Sequence, residues 1–322
     1  MTDALPASLV APLLDHAVIS VSGADAAVFL HGQLTNDVTG VGPEGARLAG
    51  YCTAKGRLLA TMVLWHAVPA DASAPPTVML LVRRDLAEAL IKRLRMFVLR
   101  AKVTITLSDV PVLGVQVAGE AARQALATSL GKAPGLLPWQ KAEFDEGTWI
   151  TAPSTHQQLA RGWWIGKQGG VSDSLLARLS LPAGTEAQWR AADLQAGLPW
   201  IGAQTQDLFI PQTVNLDLID GISFGKGCYP GQEVVARSHY RGTVKRRMAY
   251  GVVEGREAAP GTDIYEAGQA GEPCGRVIDA AGTAVLIETP LDTMANGALR
   301  LGAVDGPVIA IKELPYPVVK TA

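Results

Sequence analysis

The chain is predicted to be an α+β protein that ends in an all-β module, and three observations predict this. From Thr77 to Thr151 the elements read strand, helix, two strands, helix, strand, which is the ferredoxin-like order. From Val244 to Val319 short β segments alternate with Gly-rich turns, and no helical pattern stands out. With 322 residues, 48% of them hydrophobic and 18% charged, the chain can bury sizeable cores in two or three domains.

Pro- and Gly-rich breaks at Pro69–Pro76, Gly131–Pro138 and Glu254–Gly261 punctuate the chain. After the first, Thr77–Val82 is an apolar run that reads as a strand. Asp85 is placed to cap a helix running to about Leu99, with Leu86, Ala89, Leu90, Leu94 and Phe97 at helical spacing. Lys102–Leu107 alternates as a strand, Val112–Val117 is a second, Glu120–Leu130 a helix and Thr148–Thr151 a last strand. In the tail, Met248–Val253, Gly275–Ile278, Ala284–Glu288 and Val308–Ile311 are the expected strands of a small antiparallel barrel or sandwich.

The net charge of -2 excludes a highly basic nucleic-acid protein. Cys52, Cys228 and Cys274 stand too far apart for a disulfide framework or a structural zinc, so no metal site is expected. No segment approaches the roughly 20 apolar residues that span a bilayer. A soluble, cytoplasmic protein is expected.

The segment richest in chemistry is Gly221-Ile-Ser-Phe-Gly-Lys-Gly-Cys-Tyr-Pro-Gly-Gln-Glu233. Pro230 suits the first turn of a helix that continues through Val234–Arg237. Cys228 then sits just ahead of a helix N-terminus and two residues from Lys226, and both favour a thiolate. The competing reading is a free cysteine packed in a tight turn. Gly221–Gly227 is one residue short of a phosphate loop and has Gly227 where Ser or Thr would bind Mg²⁺. No GxGxxG follows a strand.

Lys226-Gly-Cys-Tyr-Pro-Gly-Gln-Glu233 resembles the signature of the YgfZ family, folate-binding tRNA-modifying proteins related to the aminomethyltransferase of the glycine cleavage system. The resemblance continues at Phe209–Leu216, Val234–Arg237 and Arg241-Gly242, and recurs at Phe29–Asp37, Cys52–Arg57 and Val98–Val103. It implies a three-domain, aminomethyltransferase-like ring around a folate cavity, with ferredoxin-like α/β units and a C-terminal antiparallel β-barrel. The domains implied are 1–48 with 155–238 (folate-binding), 49–154 (ferredoxin-like) and 239–322 (barrel).

The implied function is that of a tetrahydrofolate-binding (or other reduced-folate-binding) accessory protein. It would support assembly or repair of iron–sulfur enzymes, including those that thiolate tRNA, with Cys228 as its working thiol and Lys226 beside it. Its partners would be iron–sulfur enzymes or cluster-assembly proteins, and the chain is expected to be a monomer. Cofactor contacts fall on Trp189, His16, Gln195, Tyr229, Arg237 and Arg241. His16 stands where relatives can have Trp, and an imidazole offers less area for stacking. Gln195-Ala-Gly197 stands where the family usually reads Glu-Ala-Gly, and an amide binds a pterin edge less strongly than a carboxylate.

The alternative function is a tetrahydrofolate-dependent one-carbon transferase. Its aminomethyltransferase relatives carry an Asp-Asp pair after the turn equivalent to Lys55-Gly56-Arg57. Here Leu58-Leu59-Ala60-Thr61 follow, with no carboxylate to do that work. Two basic clusters, Arg83–Lys102 and Arg237–Arg247, could grip phosphates, but no RNA-binding motif accompanies them. Direct tRNA binding is therefore not the favoured reading. Trp163-Trp164 is expected to be core packing.

Overall fold

The structure, a computed structural model, describes residues 8–69, 71–155, 159–167, 173–240, 244–268 and 271–318. The chain divides into two units. The first comprises Met1–Gly32, Asp37–Leu48 and Met62–Trp189, and the second Gln33–Asn36, Ala49–Thr61 and Arg190–Ala322.

The chain opens with β1 (Leu9–Pro12), β2 (His16–Ser22), α1 (Ala26–His31), β3 (Ala46–Cys52), β4 (Leu58–His66) and β5 (Thr77–Arg83). There follow α2 (Arg84–Arg95), β6 (Thr104–Ser108), β7 (Val112–Val117), α3 (Glu120–Leu130), β8 (Lys141–Phe144), β9 (Gly147–Thr151) and β10 (Ala160–Gly166). Next come the helices α4 (Asp173–Leu179), α5 (Glu186–Gln195) and α6 (Gln232–Tyr240). The tail holds β11 (Arg246–Val253), β12 (Asp263–Glu266), β13 (Gly275–Ala281), β14 (Ala284–Pro290), α7 (Leu291–Asn296), β15 (Leu299–Leu301) and β16 (Ile309–Lys312).

One sheet has the order β3-β4-β5-β2-β6. β2 is antiparallel to both neighbours, with Ile19 opposite Leu80 on one side and Leu107 on the other. Its Ala17, Val18, Ile19 and Val21 are buried. Helix α2 packs against β2, β5 and β6 and buries Leu86, Ala87, Leu90, Ile91 and Leu94, the apolar stripe of an amphipathic helix.

This helix is shorter than its periodicity predicts. It ends at Arg95, where Met96 and Phe97 donate backbone bonds three residues back and tighten the chain out of the helix. Phe97 and Leu99 are therefore exposed, at 43% and 87%, and Ala87 and Ile91 occupy core positions instead of Ala89 and Phe97. Asp85 lies inside the first turn, with Arg83 at the cap.

A second sheet has the order β1-β7-β10-β9-β8. Every residue of β7 is buried. Leu113, Val115 and Val117 pack in a cluster with Leu126 of α3 and Trp149 and Trp164 of the sheet. Gly114 exists for the indole of Trp189, since a Cβ there would come within 2.3 Å of the ring. Trp163 and Trp164 are core residues, at 0% and 1% exposure.

The element order expected from Thr77 to Thr151 is present piece by piece, but its strands enter two sheets: β5 and β6 the first, β7 and β9 the second. Local periodicity identifies a strand. The sheet it joins is decided by the strand it pairs with, here β2 for β5 and β6, and β10 for β7 and β9, and for β5, β6 and β7 that partner is distant in sequence.

The tail forms a six-stranded antiparallel sheet of order β15-β12-β13-β14-β11-β16. A bridge between Arg300 and Val308 brings its two ends together into a nearly closed barrel. Val253, Ile264, Val277, Val285, Ile287 and Leu299 fill it. The short helix α7 was not expected from the sequence. It spans fewer than two turns, too few for an apolar period to register, and follows Pro290 at its cap. Among the described residues no helix is long and apolar enough to cross a membrane.

Candidate functional site: an exposed thiol on a held turn

Three stretches of the second unit converge around Cys228. The first is Leu34-Thr35-Asn36. The Thr35 hydroxyl donates to the carbonyl of Gly221 and accepts from the amide of Gly50, both at 2.7 Å and both buried. The amide of Ser223 donates to the Thr35 carbonyl at 3.0 Å, and the Asn36 side chain donates to the Asp220 carbonyl at 2.6 Å. Lys226 Nζ donates to the carbonyls of Leu34 at 3.0 Å and Gly227 at 3.2 Å, and lies 4.6 Å above the ring of Tyr229. The glycine-rich turn is therefore fastened at its start and middle by polar groups that pair with its backbone.

The second stretch is Cys52–Arg57. Gly231 has φ +81, a left-handed conformation, and a Cβ on it would come within 2.4 Å of the Thr53 carbonyl and 2.6 Å of Gly56 Cα. Only glycine serves where two turns approach this closely. A left-handed residue cannot propagate an α-helix, so α6 begins at Gln232 and Pro230 lies in the turn before it. Cys228 stands four residues ahead of the helix rather than at its lip.

The third stretch is α6 itself. Gln212, fully buried, donates to the carbonyl of Val235 at 2.6 Å. His239 stacks on Phe224 of the glycine-rich turn, with ring centroids 3.7 Å apart. The last turn of α6 is thereby tied to the segment that carries the cysteine, and its middle to Gln212.

The three cysteines differ sharply in setting. Cys228 is exposed, Cys52 buried and Cys274 half-buried. Burial pushes the Cys52 thiol up to about 12, and burial also raises that of Cys274. Tyr229 is buried beside this site, and burial followed by the neighbouring Cys52 raises its phenol.

The remaining residues named from sequence are dispersed. Gln195 is half-buried at the end of α5, where its side chain bonds Tyr250. Arg237 is exposed on the last turn of α6. Arg241 lies outside the described residues. Trp189 and His16 belong to the first unit and are enclosed there, at 0% and 1% exposure. The Arg161 guanidinium lies 4.2 Å over the Trp189 ring, so a ligand ring could stack on Trp189 only if Arg161 moved. In the second basic cluster, Arg247 is buried and pairs with Asp217 at 2.6 Å, and Arg246 pairs with Glu288. These two serve the fold.

Sequence reasoning gave no individual role to Thr35, Asn36, Asp15 or Glu186, and read His16 only as a folate contact. The polar Thr-Asn pair directly after an apolar run is the signal that could have found the first two. In the first unit, His16 Nδ1 lies 2.6 Å from Asp15 Oδ1, Glu186 accepts the Asp15 amide at 2.6 Å, and Arg83 pairs with the Asp15 carboxylate. Burial opposes ionisation of Asp15, but His16 and Arg83 outweigh it and hold the carboxyl well below its usual range. Burial and the bond to Asp15 raise Glu186 to about 7. Asp15, His16 and Glu186 bring potential ligand atoms within 4.8 Å of one another, yet Arg83 already neutralises Asp15. Side chains this far apart in sequence carry no local signal.

No protein-family model matches the chain. A solved structure, the glycine cleavage system aminomethyltransferase T from Bartonella henselae, matches 96% of this chain and 86% of its own, with TM-score 0.67 and 16% identity. The fold is thus of the aminomethyltransferase class. Among curated proteins, the tRNA-modifying protein YgfZ of Serratia proteamaculans (strain 568) is 32% identical, covering 97% of this chain and 93% of its own length. That of Cronobacter sakazakii (strain ATCC BAA-894) is 35% identical over 81% of this chain and 76% of its own. The chain belongs to the YgfZ family.

Proposed function

We propose that this protein is a reduced-folate-binding accessory factor for iron–sulfur enzymes, including those that thiolate tRNA, with Cys228 as its working thiol. The observation that carries the proposal is the contrast in setting. Buried polar groups and two abutting glycines hold the turn, while the thiol at its tip faces solvent. A structural cysteine is normally covered. The relatives at 32–35% identity are named tRNA-modifying proteins, which directs the thiol toward that process.

The groups of the second unit fit a folate in part. Gln195 has an amide that can both donate to and accept from a pterin edge, and Arg237 offers an exposed cation for the glutamate tail. A reduced folate would supply one-carbon or redox chemistry. The protein's part is to bind and orient it. In the segment after Lys55-Gly56-Arg57, where aminomethyltransferase relatives carry a carboxylate pair, Leu58 and Ala60 are buried and the Thr61 hydroxyl donates to the Pro199 carbonyl at 2.9 Å, so that reaction lacks its acid–base group.

The test is Cys228→Ser, which keeps the shape and replaces the thiol by a hydroxyl. The variant should fold, bind 5-formyltetrahydrofolate as the parent does, and fail to restore tRNA thiolation in cells lacking the native protein. Full restoration would make Cys228 structural. In the same assay Gln195→Ala should weaken folate binding about tenfold, the scale of one or two hydrogen bonds.

A further inference from the structure

Residues 89–108 hold five Lys or Arg and no Asp or Glu. No RNA-binding motif accompanies this run in the sequence. What the sequence lacks, exposure and pairing, the structure supplies. The run completes α2 and enters an ordered loop, 96–103, within the first unit. The amides of Met96, Phe97 and Val98 bond carbonyls three residues back, and the Leu99 amide donates to the Phe97 carbonyl at 3.0 Å. Arg95 donates to the Ile105 carbonyl, and Asp25 accepts the Lys102 amide at 2.7 Å. Gly23 makes room for the far end of the loop, since a Cβ there would come within 2.0 Å of the Lys102 carbonyl. The loop is therefore held at both ends by its own unit.

Held in this way, it turns apolar side chains outward. Met96, Phe97 and Leu99 are 60%, 43% and 87% exposed. A fixed loop that keeps three large apolar side chains in water marks a contact surface. Lys92, Arg100 and Lys102 flank them in the chain, are exposed, and form no ion pair among the described residues. A field of one sign suits a polyanion whose charges repeat along its length. The apolar side chains at its centre suit an unstacked base, which a single strand offers and a paired duplex does not.

We propose that this loop binds a single-stranded segment of RNA, with Lys92, Arg100 and Lys102 on phosphates and an unstacked base on Phe97, beside Met96 and Leu99. The choice of RNA over another polyanion rests on the reading that the protein serves tRNA thiolation. The surface itself lies wholly within the first unit and uses none of Cys228, Gln195 and Arg237.

The test uses an unmodified tRNA transcript, titrated into the full-length protein at about 50 to 200 mM salt and followed by fluorescence anisotropy. Binding should saturate with a dissociation constant below about 100 μM, and log K should fall against log salt with a slope of about −2 to −3, as for three phosphate contacts. Lys92→Gln, Arg100→Gln and Lys102→Gln should each weaken binding and reduce the slope by about one. Phe97→Ala should weaken binding to the transcript about fivefold or more and leave binding to a fully paired RNA duplex unchanged. These side chains are exposed, so the variants should melt with the parent. Failure of the transcript to bind a protein that still binds 5-formyltetrahydrofolate would overturn this inference and leave the folate reading standing; transcript binding without folate binding would do the reverse. A slope indifferent to the three cation variants, an equal effect of Phe97→Ala on transcript and duplex, or Phe97-dependent binding to phosphatidylglycerol vesicles in place of the transcript would also overturn it.

Discussion

The turn that carries Cys228 and the cluster around Asp15 both depend on buried polar contacts, but they put them to opposite ends. In the turn, Thr35, Asn36 and Lys226 satisfy backbone groups, and the exposed thiol of Cys228 takes no part in these bonds. In the cluster, Asp15 pairs with His16 and Arg83 and its amide donates to Glu186, so these groups are largely engaged with one another. Titratable side chains gathered together can thus serve pairing alone, whereas an exposed thiol on a fastened turn remains open to solvent. A buried ionic network is first of all a solution to desolvation.

The sharpest way to break this comparison is alkylation of the native protein. Cys228 should react first, Cys274 more slowly and Cys52 hardly at all. For Cys52 the rise from 9.0 to about 12 alone lowers the thiolate fraction by about a thousandfold. Peptide mapping after limited iodoacetamide treatment reads the order, and labelling of Cys52 at a rate near that of Cys228 would remove the distinction.

Next in size is Thr35→Val, which keeps the shape but leaves the Gly50 amide and Gly221 carbonyl without their hydroxyl partner. A cost of about 1–3 kcal/mol is expected in denaturant unfolding. A smaller loss, below about 0.5 kcal/mol, would mean that the turn is held by its glycine contacts instead.

The smallest effect belongs to the cluster. Glu186 is raised in the folded protein from 4.5 to about 7, so the folded state holds this proton more tightly than the unfolded one. Its contribution is therefore greatest at low pH and is lost as pH climbs from about 4.5 to about 7. Asp15, depressed in the folded state, contributes above its ordinary 3.8 and loses that contribution as pH falls. Glu186→Gln should flatten the decline between about pH 4.5 and 7 while leaving the acid limb of Asp15 in place. Thermal unfolding across that window measures it, and an unchanged slope would show that Glu186 is not the group involved.

Strands and helices with a clear period were legible in the chain: Val112–Val117 and Glu120–Leu130 fall where expected to the residue. So was the family, through Lys226–Glu233. Both depend on residues near one another in sequence. The left-handed Gly231 that delays α6 and the division of adjacent strands between two sheets were not legible, because each follows from partners far away along the chain. The early stop of α2 was not legible either, because its apolar spacing continues past the point where the backbone tightens.

What the sequence determined by itself is therefore the α+β class, the barrel-forming tail, the family and the candidacy of Cys228. Local hydrophobic period and a contiguous motif are sufficient for all of these. Only the tertiary structure decided that Cys228 is exposed while Cys52 is buried, that Trp189 is covered by Arg161, and that Arg246 and Arg247 spend their charge on Glu288 and Asp217. Exposure and pairing depend on which distant surfaces meet, and burial then fixes which ionisable groups remain available to a ligand.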